Sequence, residues 1–301
     1  MPKAGSGIRA GLAWRKHTIF RNPLHTRLSF FLLVLPLAQV ACGQISETHV
    51  AAAGKTIASR FVPPSGYERA AAQSGSFAEY LQNLPLKPHG TLVKYYNGDT
   101  KNRPGVYVAV VNMEIGDRNL QQCADAVMRL RAEYLYRHGK YTDIHFRFTN
   151  GDNAAYTQYA EGYRASVSGS RVAWKKSASK DYGYATFRQY LDLVFMYAGT
   201  LSLSKELEPV ASVKDLRVGD VFIKGGAPGH AVIVVDVARN AKTGRKLFLL
   251  AQSYMPAQET QVLQNPDNAE SNPWYGTDFE GPLVTPEWTF ERSQLKRFSG
   301  Q

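Results

Sequence analysis

Three apolar segments that follow one another at short intervals are the feature that most constrains the fold of this chain. They are Asp220–Ile223, Ala231–Val237 and Lys246–Ala251. A Gly-rich loop at 225–229 separates the first two, and a turn around Lys242–Gly244 precedes the third. Connections this short predict neighbouring antiparallel strands, because parallel pairing requires a longer crossover.

Two helices are predicted to accompany these strands. Apolar residues recur every three or four positions over Leu120–Arg137, Gly139 marks the end of this helix, and a second apolar stripe runs over Thr186–Leu203. The stripe of the first helix consists of Leu120, Cys123, Val127, Leu130 and Tyr134. The chain is therefore predicted to be α/β, of the α+β type, with a mostly antiparallel sheet packed on helices. The polar segment 149–183 is predicted to be an inserted loop or small subdomain.

The segments before the first long helix predict shorter elements. Thr91–Tyr96 and Val106–Val111 are rich in β-branched and aromatic residues, and Asn97–Asp99 between them favours a turn. Ser76 and Glu79 have the spacing of a capping box, which predicts a short helix after residue 76.

The N-terminus has the order of features that is typical of an export signal. Residues 1–41 contain six basic and no acidic residues, and the apolar run 30–38 is too short to span a membrane. We expect a signal peptide over 1–42, a tether over 43–66 and a single domain over 67–301. A buried N-terminal helix is the alternative for this leader.

The residues that follow the apolar run resemble a bacterial lipobox. Val40-Ala41-Cys42-Gly43 has the small residues and the cysteine of that motif, but Gln39 stands where the usual leucine is found. Lipidation of Cys42 and simple cleavage both stay open. The protein is expected to be exported, either to the periplasm or as an outer-membrane lipoprotein, and to touch a membrane only through a lipid on Cys42.

The position of the charge argues against nucleic acid as a partner. The net charge is +11, of which six units lie in residues 1–41, so the remainder is only mildly basic at +5. No basic patch interleaves with aromatic residues in that remainder. We expect a monomer whose partner is peptidoglycan or another envelope polymer, which suits a mildly basic surface.

The cysteine count leaves one thiol in the domain. The chain contains two cysteines, and Cys42 belongs to the leader, so Cys123 cannot form an internal disulfide after export. A lone cysteine of this kind is either a buried apolar side chain or a reactive thiol. Cys123 lies close to the start of a predicted helix, where a thiolate is stabilised.

Two further residues suit thiol chemistry, which needs an imidazole near the thiol and a group that orients the ring. His230 opens the strand after the Gly-rich loop, and Gln252 ends the next strand, where it can contact an imidazole at the start of its neighbour. We therefore name Cys123, His230 and Gln252 as candidate catalytic residues. Each also has a structural interpretation: a core thiol, a strand cap and a backbone hydrogen-bond partner.

Other candidate residues are assigned structural roles. His138 is expected to cap the end of a helix, His145 to lie on the outer face of a strand, and His89 to lie in a loop. Asp125 lies on another helix face from Cys123 and is not expected to act as a relay. Metal and nucleotide motifs are absent from the sequence, so we expect no metal and no cofactor.

The C-terminal half resembles papain-like cell-wall hydrolases of the CHAP and NlpC/P60 type. The resemblance rests on Val218–Ile223 followed by Gly229–Val234, in which a Gly-Asp strand precedes a strand that opens with a histidine. Gln122-Cys123 is similar to the Gln-Cys nucleophile of those enzymes, and Gln252 falls where their third polar residue lies. The resemblance implies a papain-like fold and amide hydrolysis by Cys123 and His230. The spacing between the cysteine and the Gly-Asp strand is longer than usual.

A second resemblance covers nearly the whole domain. Four segments look like one bacterial family that is described only as domain of unknown function 4846: Leu84–Pro88, Leu120–Val127, Tyr197–Ser202 and Leu250–Gln258. This resemblance implies an exported, often lipoprotein-type, single-domain protein, and it implies no activity. Two functions are therefore carried forward. The first is a cysteine amidase or peptidase of the cell envelope, and the second is a non-catalytic envelope-binding module on a papain-like scaffold.

Overall fold

A computed structural model describes residues 49–267 and 273–300 of the chain. The predicted signal peptide and the lipobox around Cys42 lie outside these described residues. The described part contains six α-helices: α1 (Ile57–Arg60), α2 (Phe77–Gln82), α3 (Cys123–Arg137), α4 (Tyr156–Ala160), α5 (Tyr184–Tyr197) and α6 (Thr200–Glu206). None of these helices is long and apolar enough to cross a membrane.

Fifteen strands accompany the helices in the described residues. The first eight are β1 (Tyr67–Arg69), β2 (Tyr107–Val110), β3 (His145–Arg147), β4 (Asn153–Ala155), β5 (Tyr163–Ser168), β6 (Arg171–Lys176), β7 (Glu208–Pro209) and β8 (Val221–Lys224). The others are β9 (His230–Asn240), β10 (Lys246–Gln252), β11 (Gln261–Leu263), β12 (Tyr275–Gly276), β13 (Leu283–Val284), β14 (Thr289–Phe290) and β15 (Leu295–Arg297).

The predicted antiparallel strands form the centre of a nine-stranded sheet. Its order is β2–β11–β10–β9–β8–β15–β7, with β1 paired to the far end of β9 and β12 paired to β10. Every pairing in this sheet is antiparallel. The mixed α/β class with a large antiparallel sheet is therefore confirmed, and β8, β9 and β10 are the three strands that the sequence predicts.

The core lies around β9, on which α3 packs directly. All residues of β9 from His230 to Ala238 are buried, so both faces of this strand are covered by protein. Phe222 on β8 stacks on Phe248 of β10, with 6.1 Å between ring centroids. The long helix therefore lies against the strand that begins with His230.

Two acidic side chains are buried in the sheet with arginine partners. Asp236 in β9 accepts from Nε of Arg69 over 2.7 Å and from the amide of Gln82 over 2.8 Å. Asp220, from the Gly-Asp pair before β8, binds Arg297 through both carboxylate oxygens at 2.6 and 2.8 Å. Because a buried carboxylate needs a partner, these ion pairs tie β1 and β15 to the central strands.

The folded domain begins earlier than the predicted boundary at residue 67. Ile57 and Phe61 are fully buried in the core, within the segment that was expected to be a tether. Thr56 caps α1 through its side chain, and a bridge joins this residue to Pro85. Burial of two large apolar side chains makes this part of the segment an integral layer of the domain.

The polar segment 149–183 forms a small subdomain with regular structure. It contains α4 and the hairpin of β5 and β6, whose strands pair from Tyr163 to Lys176. The helix predicted over Thr186–Leu203 is instead two helices, α5 and α6, which meet at Ala198 and Gly199. The expected strand Thr91–Tyr96 forms only isolated bridges at Lys94 and Tyr95.

Candidate active site

Cys123 is the first residue of α3, so its thiol lies at the N-terminal end of that helix. Gln122 is the N-cap residue, and its backbone N–H donates to Oδ2 of Asp125 over 2.9 Å. This bond satisfies the backbone donor just ahead of the helix and fixes the residue at which α3 begins. The positive end of the helix dipole at this position favours a thiolate.

The turn before Cys123 is tied to the segment after β10. The backbone N–H of Ala257 donates to Oδ1 of Asn119 over 2.8 Å. The Ser253 hydroxyl lies 3.2 Å from the carbonyl oxygen of Gln121 and 2.6 Å from that of Gln258. These contacts hold the start of α3 against the end of β10, where Gln252 lies.

The thiol also touches the start of β9. Burial raises the pKa of Cys123, and hydrogen bonds to the sulfur from the backbone N–H groups of Ala124, Ala231 and Cys123 itself oppose that rise. Ala231 directly follows His230, so the thiol lies near the start of the strand that carries the predicted base. Tyr254 lies at the same end of β9, with its ring 4.8 Å from the imidazole of His230. Burial, Glu287 and Cys123 together raise the pKa of its hydroxyl.

His230 is buried and held in one orientation. Its Nε2 atom lies 2.8 Å from Oε1 of Gln252, and the residue is 1% exposed. The imidazole centroid lies 4.8 Å from the ring of Tyr254, 5.3 Å from Trp288 and 5.9 Å from Phe290. Tyr254 and Trp288 are half-buried, so they form the boundary between the imidazole and solvent.

A chain of buried polar side chains continues behind Gln252. Its amide Nε2 donates to Oε2 of Glu287 over 2.7 Å, and the same carboxylate oxygen lies 2.6 Å from Nζ of Lys101. The carboxylate cannot donate, so the glutamine must direct its NH₂ group towards Glu287 and its carbonyl oxygen towards His230. The carbonyl oxygen in turn requires a proton on Nε2 of His230. In the neutral imidazole, Nδ1 is then the nitrogen with a free lone pair.

The protonation states follow from the burial of both groups. Burial, with a smaller effect of Asp125, raises the pKa of Cys123 to about 11. Burial lowers the pKa of His230 to about 4, against the opposing effects of Gln252 and Glu287. At neutral pH the resting site therefore holds a neutral thiol and a neutral imidazole. In general-base catalysis a thiol of this kind loses its proton to an imidazole as the sulfur attacks, so no thiolate is required in the resting state.

The start of α3 also supplies donors for a developing negative charge. The first N–H groups of a helix have no partner within the helix, and those of Cys123 and Ala124 lie beside the sulfur. Backbone N–H groups in this position stabilise acyl-transfer transition states.

A model of one protein family matches residues 57–297, and its description is domain of unknown function (4846). The chain belongs to this family. Comparisons with curated proteins and with solved structures find no match.

Three of the segments that resemble the 4846 family meet around this site. Leu120–Val127 contains Cys123 and the start of α3, and Leu250–Gln258 contains Gln252 and the segment that holds the turn before α3. Within Tyr197–Ser202, the hydroxyl of Thr200 donates to the carbonyl oxygen of Gly226 over 3.1 Å, in the loop just before His230. In this member of the 4846 family, these three segments therefore lie at one location rather than in separate parts of the fold.

Three other histidines of this 4846-family member, His89, His138 and His145, lie elsewhere in the fold. His138 is the C-cap of α3, where its Nδ1 atom lies 2.8 Å from the carbonyl oxygen of Tyr134. His145 lies on β3 and contacts Glu206 at 3.3 Å, and His89 is exposed in a loop. In residues 49–267 and 273–300, no group of three or more His, Cys, Asp or Glu residues is placed to hold a metal ion.

Sequence reasoning missed the groups that lie behind and above His230. Lys101 and Glu287 fix the orientation of Gln252, and Tyr254 and Trp288 cover the imidazole. Periodicity carries no signal for these contacts, because Glu287 lies in an irregular segment and Lys101 lies in a loop. Trp288 and Phe290 are large aromatic residues of a kind that is usually buried, but the sequence carries no signal for the group that they contact.

Proposed function

We propose that this protein is a cysteine amidase or peptidase. Cys123 is the nucleophile, His230 is the general base, and Gln252 orients the imidazole. The observation that carries this proposal is the 2.8 Å hydrogen bond between His230 and Gln252, together with the position of Cys123 at the start of α3, the helix that packs on the strand of His230. Three distant parts of the sequence each supply one of the groups that thiol chemistry needs.

The reaction follows from the free lone pair on Nδ1 of His230. The sulfur of Cys123 attacks the carbonyl carbon of an amide while its proton passes to Nδ1. The backbone N–H groups of Cys123 and Ala124 stabilise the oxyanion, and the imidazolium then gives its proton to the leaving nitrogen as the C–N bond breaks. Water, deprotonated by the same imidazole, attacks the thioester, and its collapse releases the carboxylic acid and restores the thiol.

The arrangement further supports a papain-like scaffold and an envelope substrate. The order of the groups is that of CHAP and NlpC/P60 hydrolases: a cysteine at a helix start, a histidine at a strand start and a polar residue on the neighbouring strand. We infer that the scissile bond is an amide of peptidoglycan stem peptides or of a related envelope polymer. This inference depends on export by the N-terminal leader, to the periplasm or to the outer membrane through Cys42.

A specific observation favours a second function, a non-catalytic envelope-binding module. Cys123 is 6% exposed, and burial raises its pKa, so the resting thiol has the properties of a core residue. Catalysis therefore requires that the residues around Cys123 move to admit a substrate. A binding module requires no such movement and no reactive thiol.

Alkylation of the folded protein separates the two functions. Iodoacetamide is applied at neutral pH, and modification of the peptide that contains Cys123 is measured by mass spectrometry, which distinguishes it from Cys42. We expect alkylation of the native protein and at least about tenfold slower alkylation in His230→Gln, because the base is lost. His138→Gln is the matched control, since His138 lies at the other end of α3, and it should react like the wild type.

Hydrolysis provides the second readout of the same proposal. Purified peptidoglycan is incubated with the full chain, and newly released amino groups are quantified. We expect release by the wild type and none by Cys123→Ala. An inert Cys123 in the native protein, together with peptidoglycan that is bound but not cleaved, would establish the binding module instead.

A further inference from the structure

A groove lined by basic side chains lies at the other end of α3 from the thiol. It has a volume of about 790 Å³ and is bordered by the loop before α2, the C-terminal half of α3 and the segment before β8. This volume is in the range of small-ligand sites. Phe77, Tyr134 and Val237 contribute apolar surface to its lining.

The lining of this groove carries an excess of positive charge. Its lining contains five basic side chains and the carboxylate of Asp143. The five, which define the basic groove, are Arg131, Lys140, Arg217, Arg239 and Lys246. Within the described ranges, none of the five forms an ion pair with a carboxylate.

Arginines on neighbouring strands behave differently. Arg69 on β1 pairs with Asp236, and Arg297 on β15 pairs with Asp220, so each is neutralised by a buried carboxylate. In the basic groove, Arg131 instead stacks against the rings of Phe77 and Tyr134, at 5.1 and 5.5 Å from their centroids. Its guanidinium is thus positioned by packing and keeps its hydrogen-bond donors for another partner.

The basic side chains of the groove also repel one another electrostatically. Burial lowers the pKa of Lys246, and Arg217 and Arg239 lower it further, against the opposing effect of Asp215. Nζ of Lys246 is held by the carbonyl oxygens of Lys214 and Leu216 at 2.7 and 3.0 Å. Binding of an anion between these cations would reduce the electrostatic repulsion that acts on the Lys246 ammonium.

We propose that the basic groove binds a small ligand that carries two or more phosphate groups. Five cations around one cavity exceed what a single carboxylate neutralises, and the planar fork of arginine matches phosphate oxygens in pairs. The apolar residues of the lining contact the remainder of the ligand. The volume suits a small molecule rather than a long polymer.

The groove is distinct from the proposed catalytic site. Arg131 follows Cys123 by eight positions on α3, which places it about 12 Å along the helix axis. Val237 follows His230 by seven positions on β9, which corresponds to about 23 Å along the strand. The phosphate ligand therefore does not contact the thiol, and loss of hydrolysis would leave this proposal unaffected.

Titration calorimetry with inorganic pyrophosphate tests the groove. The full chain is titrated at about 150 mM NaCl, where non-specific surface attraction is screened. The test variant is Arg217→Gln/Arg239→Gln, and the matched control is Arg171→Gln/Lys175→Gln on the exposed β5–β6 hairpin. We expect the test variant to raise the Kd by about tenfold or more and the control to leave it unchanged.

Two additional binding measurements, with succinate and with lipid vesicles, define the ligand chemistry. Succinate, which carries two carboxylates, should bind at least about tenfold more weakly than pyrophosphate. Vesicles that contain phosphatidylglycerol present phosphate as a lipid headgroup, and the small-ligand proposal predicts no binding that depends on Arg217 and Arg239. Equal weakening by both double variants, absence of pyrophosphate binding, equal binding of succinate, or groove-dependent binding to vesicles alone would overturn the proposal.

Discussion

Oε1 of Gln252 lies 2.8 Å from Nε2 of His230, while the Nε2 amide of the same glutamine lies 2.7 Å from Glu287. The carboxylate accepts from the amide, so the opposite end of the glutamine can only accept from the imidazole. Gln252 thereby links the two groups, so that the carboxylate of Glu287 determines which nitrogen of His230 carries the proton. The free lone pair on Nδ1 is a consequence of Glu287, which does not itself touch His230.

This relationship predicts the tautomer of His230 directly. At neutral pH, ¹⁵N chemical shifts of the imidazole should show a proton on Nε2 and none on Nδ1. Gln252→Leu removes the acceptor, so the two tautomers should both be populated. Gln189→Leu on the exposed face of α5 should leave the spectrum of His230 unchanged. A wild-type imidazole with its proton on Nδ1 would contradict the orientation of Gln252.

Lys101 is predicted to be essential for burying Glu287 in the core. The side chains of Lys101 and Glu287 are 1% and 5% exposed, and Arg103 adds only a solvent-exposed partner at 3.2 Å. Lys101→Met leaves the buried carboxylate without its main partner, and we expect a loss of about 3 kcal/mol in the free energy of unfolding. Urea denaturation measures this loss.

A double variant distinguishes the loss of a charge partner from general disruption. Lys101→Met/Glu287→Gln removes both charges, so it should be more stable than Lys101→Met alone. Arg118→Met, which breaks an exposed pair with Asp192, should change the free energy of unfolding very little. If the double variant is less stable than Lys101→Met, the ion pair is not the reason for the burial of these side chains.

The main strands, the long helix and part of the candidate site could be predicted from the sequence, for identifiable physical reasons. Local patterns gave β8, β9 and β10 and the long helix, because alternation and helical spacing reflect burial along one element. The positions of Cys123, His230 and Gln252 at element ends followed from the same patterns. Lys101 and Glu287 were not predictable, because they lie 186 positions apart and meet only through tertiary packing.

Asp125 is predicted to suppress the reactivity of the thiol. Burial and then Asp125 raise the pKa of Cys123, and burial raises the pKa of Asp125 itself to about 7. Asp125→Asn keeps an oxygen acceptor for the N–H of Gln122 and removes the negative charge. We therefore expect alkylation of Cys123 by iodoacetamide to become roughly three- to tenfold faster at pH values above 7.

The pH dependence provides an internal check on this prediction. Below a pH of about 7 the wild-type Asp125 is increasingly protonated, so the variant and the wild type should converge as the pH falls. Asp117→Asn, an exposed substitution before the helix, serves as the control and should not change the rate. Acceleration of equal size on both sides of pH 7 would mean that the substitution acts by opening the structure.

His230 is predicted to destabilise the protein as the pH falls. Burial lowers its pKa from an ordinary value of 6.5 to about 4, so between these values the unfolded chain binds a proton that the native state does not bind. The free energy of unfolding should therefore decrease from pH 6.5 to pH 4, by on the order of 3 kcal/mol from this residue. His230→Gln removes this contribution and should flatten the low-pH part of the profile.

A histidine with the opposite shift serves as the control for that profile. A hydrogen bond with Glu206 raises the pKa of His145, so its contribution to stability is present at low pH and is lost as the pH rises. His145→Gln should therefore make the loss of stability at low pH larger or leave it unchanged. A steeper low-pH profile for His230→Gln would show that His230 is not buried in its neutral form.

The loop before His230 is predicted to require glycine at position 229. A Cβ atom on Gly229 would lie 2.5 Å from the carbonyl oxygen of Gly226 and 2.7 Å from that of Lys224, both of which are backbone atoms. Gly229→Ala must therefore shift the loop that fixes the start of β9, and we expect the ¹⁵N shifts of His230 to change. The free energy of unfolding should fall by about 1–3 kcal/mol. Gly281→Ala, where a Cβ meets open space, should leave both measurements as in the wild type. If Gly229→Ala retains the wild-type imidazole spectrum, the Gly-rich loop does not position the histidine.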